Sequence, residues 1–210
     1  IQLQNKFNFS IIEVHNRPSY INLLKKKIDN KVLALYFHND PLSMDGSKTI
    51  EDRKNLLKNC YKIIFNSNWS KKRFLDGLEN KFVNSEKLVV FFQSAKKNNP
   101  SIIKEKKKWI TFVGKLNSAK GYDIFAKSIK KILNRFPNWQ AKVIGDEKRE
   151  KIILDHKNAD ILGFLNHEKV LDIFKKTSIA VACSRWEEPF GRTSLEASAN
   201  GCAVIITDKG

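Results

Sequence analysis

The run EEPFGRTSLEASANG (residues 187–201) sets two carboxylates, Glu188 and Glu196, on either side of Gly191, where a helix opens. A helix start offers unbonded N–H groups and the positive end of the helix dipole, so the amides of residues 191–194 are aimed at a polar or anionic ligand. Glu196 lies one turn further in. A carboxylate there can accept two hydrogen bonds from a vicinal diol such as a ribose, the role of an acidic residue in dinucleotide-binding folds. A second run, FVGKLNSAKGYDIFAKSI (residues 112–129), sets Lys115 and Lys120 at the two ends of a loop that Gly114 lets turn tightly. Lys120-Gly121 stands at another helix start, and two lysines there suit a diphosphate. Taken singly, each group has an ordinary reading. The lysines could be exposed loop residues of a lysine-rich chain, Glu196 a solvated helix residue and Glu188 a charge favoured by the helix N-terminus.

The elements that would position these groups alternate along the chain. Strands are predicted at FSIIEVH (residues 9–15), KVLALYF (31–37), YKIIF (61–65) and KLVVFF (87–92). Helices lie between them, at RPSYINLLKKK with Pro18 near its first turn, at about 49–60, and at WSKKRFLDGL with Asn66, Ser67 or Asn68 as its cap. A polar, lysine-rich stretch with a proline follows, QSAKKNNPSIIKEKKK, and marks a linker. A second series then begins with the strand WITFVG (109–114). A helix over 121–136 carries an apolar stripe of Tyr122, Phe125, Ile129, Ile132, Leu133 and Phe136. After it come the strand QAKVIG, a helix near 148–156, the strand DILGF, the helix HEKVLDIFKK, the strand SIAVAC, a helix over about 192–200 and the strand CAVIIT.

Apolar strands alternating with amphipathic helices predict an α/β fold with parallel sheets. The two series read as two Rossmann-like, doubly wound domains facing a cleft: residues 1–94, a linker at 95–107, and residues 108–210. In such sheets ligands bind beyond the carboxyl ends of the strands. His15, His38, Gly114-Lys115, Gly145-Asp146-Glu147 and the opening run all follow strands, so polar and glycine residues recur at that edge.

Composition narrows the alternatives. The chain has 210 residues, 41% of them apolar, and no apolar run near the ~20 residues that span a bilayer. No basic-then-apolar signal segment opens it. Three scattered cysteines suit reduced thiols, and no metal-ligand spacing appears, so no metal site and a cytoplasmic location are expected. The net charge of +17 invites a nucleic-acid partner, but only seven of the 39 basic residues are arginine and the lysines are dispersed. Most are solvated helix faces, and no nucleic-acid partner is expected. The runs at 25–27 and 104–108 could touch anionic headgroups at the inner face of a membrane.

Against this background, EEPFGRTSLEASANGCAVI resembles the E-x7-E signature of the retaining glycosyltransferases of family 4, which have the GT-B fold. FVGKLNSAKGYD is similar to that family's GRL…KG loop. The stretch NADILGFLNHEKVLDIFKKTSIAVACSRWEEPFG matches its register. IEVHNRPSY, LYFHNDP and IIFNSNWSKKRF resemble the acceptor-side domain of lipopolysaccharide-type members. The resemblance implies that Glu196 binds the donor ribose, and that the backbone at Phe190, Gly191, Thr193 and Ser194 meets the donor's phosphates and sugar. It also implies that Glu188 bonds donor-sugar hydroxyls and that Lys115 and Lys120 neutralise the diphosphate. His38 would line the sugar pocket, His15 would stand on the acceptor side, and Gly163-Phe164 would border the base pocket.

The chain departs from the family pattern at Lys115, where arginine is usual, at Cys183, where proline is common, and at FFQSAKK, which replaces an NG turn. The implied activity is metal-independent transfer, with retention, from a nucleotide-diphosphate sugar to a glycan or glycolipid acceptor in surface polysaccharide or lipopolysaccharide assembly. No cofactor is implied. Family members carry further elements at both ends, so the chain is expected to be a truncated fragment. The alternatives are a noncatalytic nucleotide-sugar binder, a basic nucleic-acid module, a hydrolase using the two glutamates, or a nucleotide-sugar epimerase.

Overall fold

The computed structural model describes residues 9–28, 31–96 and 106–209. The chain divides into two compact units, Ile1–Gln93 and Ser94–Gly210. Most of the stretch read as linker lies outside the described residues, as do Lys104 and Glu105 of the basic run.

The first unit runs β1 (Ile11–His15), α1 (Ser19–Lys27), β2 (Val32–Phe37), α2 (Ile50–Asn59), β3 (Lys62–Phe65), α3 (Asn68–Leu75) and β4 (Leu88–Val90). Its strands form one parallel sheet in the order β1-β2-β3-β4. Alternate residues of a strand point to opposite faces. Leu33, Leu35 and Phe37 share one face and pack with Ile63, Phe65 and the helix residues Ile21, Leu56, Leu57 and Phe74 in a single core. The three α-helices described in this unit therefore cover that face. The other face carries Glu13 and His15 of β1 beside Tyr36 of β2, with His15 and Tyr36 in register.

Local chemistry sets the helix ends. The Thr49 hydroxyl accepts from the Asp52 amide at 3.0 Å while Asp52 accepts from the Thr49 amide at 3.1 Å, a reciprocal cap on α2. Of the three candidates to cap α3, Ser67 does so. Buried Arg53 donates to the carbonyls of Phe74 and Asp76, each at 2.6 Å, and so closes the far end of α3.

The second unit runs β5 (Lys107–Val113), α4 (Tyr122–Arg135), β6 (Gln140–Ile144), β7 (Ala159–Ile161), α5 (His167–Lys176), β8 (Thr177–Ala182), α6 (Arg192–Ala199) and β9 (Ala203–Ile206). All five strands are parallel, in the order β7-β6-β5-β8-β9. Ile110 and Phe112 of β5 pack with Phe125, Ile129 and Leu133 of α4. Ile144 and Ala180 pack with Phe174 of α5 and Ala197 of α6. Because neighbours along β6 and β8 divide between the two clusters, α4 covers one face and α5 and α6 the other. The chain steps outward from β5 to β7, then crosses back to β8 on the far side of β5. The order reverses between β5 and β8, which makes that edge the switch point where such sheets bind ligands. Lys106, just before β5, donates to the carbonyls of Phe174 at 2.9 Å and Asn200 at 2.6 Å, joining the ends of α5 and α6.

Two readings of the sequence need correction. The segment near 148–156 is irregular rather than helical. Only Leu154 of this segment is buried, Ile152 packs partly against the same core and Ile153 is exposed, so the inward spacing is two residues and not three or four. Polar bonds from Glu147, Arg149 and Glu150 hold the stretch instead. In α4, Tyr122, Phe125, Ile129 and Leu133 are buried as expected, but Ile132 and Phe136 stand at the solvent edge of the stripe.

Candidate functional site

At the carboxyl edge of the second sheet, two loops meet across the switch point. Gly121 takes a left-handed conformation (φ 71°), and a Cβ built there would overlap the Cys183 carbonyl oxygen. The Cys183 thiol donates to the Gly121 carbonyl at 3.2 Å. Burial pushes this thiol up from its usual range. The amides of Arg185 and Trp186 both donate to the Ala119 carbonyl, at 2.9 and 3.0 Å. Arg185 also grips Asp123 with two nitrogens, at 2.6 and 2.7 Å, and donates to the Ser118 carbonyl at 2.7 Å. The lysine loop and the glutamate loop are thus fastened together by backbone and by a forked ion pair.

On this frame, the Lys120 ammonium pairs with the Glu188 carboxylate. Residue types read separately in the sequence, one for phosphate and one for sugar hydroxyls, are therefore in contact. Lys115 stands at the end of β5, where an open depression of about 380 Å³ is lined by Lys115, Asp146, Glu147, Lys148 and Arg149. Glu147 accepts from Arg149 at 3.1 Å and from Asn117 at 3.1 Å, while Glu150 accepts from the Ser118 amide and hydroxyl. Asn117 itself caps the turn through the Lys120 amide at 3.0 Å.

The bonds from Arg149 hold the Glu147 carboxyl down at about 2, below its usual 4.5. A depressed carboxyl stabilises the fold above its unfolded-state value, and that contribution is lost as pH falls through the window from about 4.5 to about 2. Wild type and Glu147→Gln should therefore differ in urea stability at pH 6, the difference should shrink below about pH 4.5, and the two should converge only below about pH 2. A constant difference across that range would contradict the assignment.

Glu196 is 9% exposed. One of its oxygens accepts from Arg192 Nε at 2.7 Å and from His167 Nε2 at 3.0 Å. Arg192 is one helical turn away and was legible as a neighbour. His167 comes from the first turn of α5, twenty-nine residues away, and no local pattern announces it. Gly191 opens α6 in a left-handed conformation (φ 77°), but the helix start differs from expectation at Ser194. Its amide and hydroxyl both donate to the Gly191 carbonyl, at 3.1 and 2.6 Å, because the first turn closes tightly. Thr193, one position earlier, is left with the orphan amide of an ordinary first turn. Phe190 is half-buried beside it. Gly163 accepts from the Gly145 amide at 2.8 Å, and the next residue, Phe164, is 78% exposed.

His15 and His38 lie in the first unit. Their rings are stacked, with His15 Nδ1 2.8 Å from His38 Nε2, and Tyr36 stacks on His38. Asn16, in a left-handed conformation (φ 52°), accepts from the His38 amide at 2.8 Å, and buried Asn66 donates to the His38 carbonyl at 2.8 Å. The sequence reading named the histidines and missed the asparagines that hold them. One asparagine follows each of the strands β1, β2 and β3, a signal available in IEVHN, LYFHN and IIFNS. Among the described residues no helix is long and apolar enough to cross a membrane.

Residues 93–210 match the family model described as glycosyl transferases group 1. The chain is 24% identical over 231 residues to spore coat protein SA of Bacillus subtilis (strain 168), covering 98% of this chain and 61% of that protein. It is 32% identical over 114 residues to the lipopolysaccharide core biosynthesis mannosyltransferase LpsB of Rhizobium meliloti, half of this chain and 32% of that one. Among solved structures it is similar to Anabaena Alr3699/HepE in complex with UDP-glucose, with a TM-score of 0.74 and 17% identity. That match covers all of this chain and 62% of the other. The pneumococcal O-GlcNAc transferase GtfA in complex with UDP and GlcNAc gives a TM-score of 0.73 at 13% identity, over all of this chain and 44% of that one. The likeness to these two structures is one of fold. The chain spans less than two thirds of each relative's length.

Proposed function

Because the chain belongs to the group 1 glycosyl transferases, we propose that it supplies the core of an enzyme moving a sugar from a nucleoside diphosphate sugar to an acceptor hydroxyl, with retention and without a metal ion. The fold is that of the GT-B glycosyltransferases, two Rossmann-like units with parallel sheets. The observation that carries the reading is the grouping at the switch point of the second sheet: Lys120 on Glu188, with buried Glu196 at the start of α6. HepE was solved with UDP-glucose and GtfA with UDP and GlcNAc, which favours a nucleoside diphosphate donor here as well.

In this reading a diphosphate competes with Glu188 for Lys120, and the released carboxylate turns to the donor sugar's hydroxyls. Lys115 adds a second cation, and the first-turn amide of Thr193 a hydrogen-bond donor. As the bond from the anomeric carbon to the phosphate oxygen breaks, lysine charge stabilises the leaving diphosphate. The diphosphate takes the proton of the attacking hydroxyl on the same face. The acceptor in this reading is a glycan or glycolipid of surface polysaccharide or lipopolysaccharide, which the likeness to LpsB, a lipopolysaccharide core biosynthesis mannosyltransferase, supports. The first unit serves the acceptor, with His38 beside the donor sugar and His15 on the acceptor side. Lys25–Lys27 at the end of α1 would meet anionic lipid.

The test is calorimetry of the intact protein with uridine and guanosine diphosphates, each with and without chelator. Binding of one of them should persist in chelator. Binding seen only with magnesium would overturn the metal-free reading. Glu196→Ala should weaken that binding at least about tenfold, since each lost hydrogen bond to a charged group is worth ~1.5–3 kcal/mol. Unchanged affinity would remove Glu196 from the nucleotide site.

A further inference from the structure

We propose that Gln93, His38 and His15 form a directional hydrogen-bond relay, with the Glu13 carboxylate in electrostatic contact at its far end, that fixes both histidines, when neutral, in the Nε2–H tautomer. Gln93 is then a positioning residue for the pair. The relay belongs wholly to the first unit and goes beyond the proposed transfer; it stands whether or not the chain is an enzyme.

Both ends of the relay dictate the same direction. At one end, His15 Nε2 lies 3.5 Å from Glu13 Oε2. The pair is an electrostatic contact rather than a hydrogen bond, and the negative carboxylate favours a proton on that nitrogen over a lone pair. His15 Nδ1 is then an acceptor, and its partner at 2.8 Å, His38 Nε2, must donate. His38 Nδ1 is left as an acceptor. It lies 2.9 Å from the side-chain nitrogen of Gln93, a group that only donates. Starting instead from Gln93 gives the same assignment in reverse. With the opposite polarity His15 Nε2 would present a lone pair to the Glu13 carboxylate, and the Gln93 amide would have to turn over.

The sheet explains why these groups meet. Glu13 and His15 are two apart on β1 and share a face. Tyr36 is in register with His15, and His38 continues the same face past β2. Beyond β4, the Phe91 amide donates to the Phe65 carbonyl at 2.8 Å, and the Phe91 carbonyl accepts from the Tyr36 hydroxyl at 2.8 Å. Gln93 follows two residues later. The ring planes of Tyr36, His38 and His15 lie within 14° of one another, so the rings cannot turn independently. Both ring nitrogens of His38 are occupied, and the donor the pair presents outward is His15 Nε2–H.

Nitrogen-15 NMR of the intact, histidine-labelled protein above about pH 8, where an ordinary histidine is neutral, reads the tautomers directly. Both rings should show a pyrrole-like Nε2 and a pyridine-like Nδ1. In Gln93→Glu, whose carboxylate can only accept, His38 should move its proton to Nδ1 or become doubly protonated, and His15 should follow. Gln93→Asn or Gln93→Leu should leave His38 in a mixture of tautomers. An Nδ1–H tautomer on His38 in the wild type would overturn the relay. So would wild-type His38 signals in Gln93→Glu, provided the backbone spectrum shows that the variant is folded.

Discussion

Glu188→Gln should move two readouts in opposite directions. Bare nucleoside diphosphate should bind about 1.5- to 5-fold more tightly, and sugar transfer by the intact protein should fall by about 10- to 100-fold. The first effect follows from the ion pair. Lys120 and Glu188 are each about 30% exposed, so the pair holds the lysine with an energy near that of surface bridges, ~0.2–1 kcal/mol. Removing the carboxylate charge returns that energy to whatever anion takes Lys120 next. On the proposed function, the second effect follows from losing a charged acceptor for sugar hydroxyls, worth ~1.5–3 kcal/mol at the transition state. Calorimetry and steady-state transfer on one preparation decide it. If affinity and transfer both fall, Glu188 holds the diphosphate site in shape rather than competing with the diphosphate. If neither changes, the ion pair is incidental.

Gly121→Ala should be much more damaging than Gly163→Ala, although the two glycines have nearly the same backbone conformation (φ 71° and 66°). The left-handed conformation costs any alanine ~1–2 kcal/mol. Gly163 has nothing within 4 Å of where a Cβ would stand, so its substitution should cost little more than that. At Gly121 the new carbon would overlap the Cys183 carbonyl, and backbone must move. We expect a loss of about 3 kcal/mol or more, with diphosphate binding reduced at least tenfold as the two loops separate. Chemical denaturation of both variants isolates the contact from the φ penalty. Equal losses would mean that the loops adjust freely.

Much of this was readable in the chain, and the reasons differ by element. Strand β2 was legible because buried parallel strands are near-continuous apolar runs, as VLALYF is. The helix α4 was legible from a stripe at helical spacing. The segment after Gly145 was misread because its charged residues resemble a solvated helix face, when they are side-chain ties to the Asn117–Ser118 turn. Strand ends gathered the candidate residues at the carboxyl edge of each sheet, since chain direction alone decides where the carboxyl ends lie. What the sequence could not disclose are pairings between distant loops. Lys120 with Glu188, His167 with Glu196 and Gln93 with His38 depend on strand order, and strand order is not written in any local pattern. Gly121 looked like a helix-start glycine, and only the fold reveals that Cys183 leaves it no room.

The clamp made by Lys106 gives the second unit a mechanical property. Chain entering this unit is moored to the last carbonyls of two helices before it becomes strand β5. One of those helices is α6, and Asn200, the residue that caps its end, reaches back through its side chain to the Glu196 carbonyl at 2.8 Å. A pull on the chain at residue 106 is therefore shared by α5 and by the end of the helix that carries Glu196, with β5 sheltered behind the mooring. Burial lowers the proton affinity of the Lys106 ammonium, and its deprotonation would slacken this tether without breaking a single strand-to-strand bond.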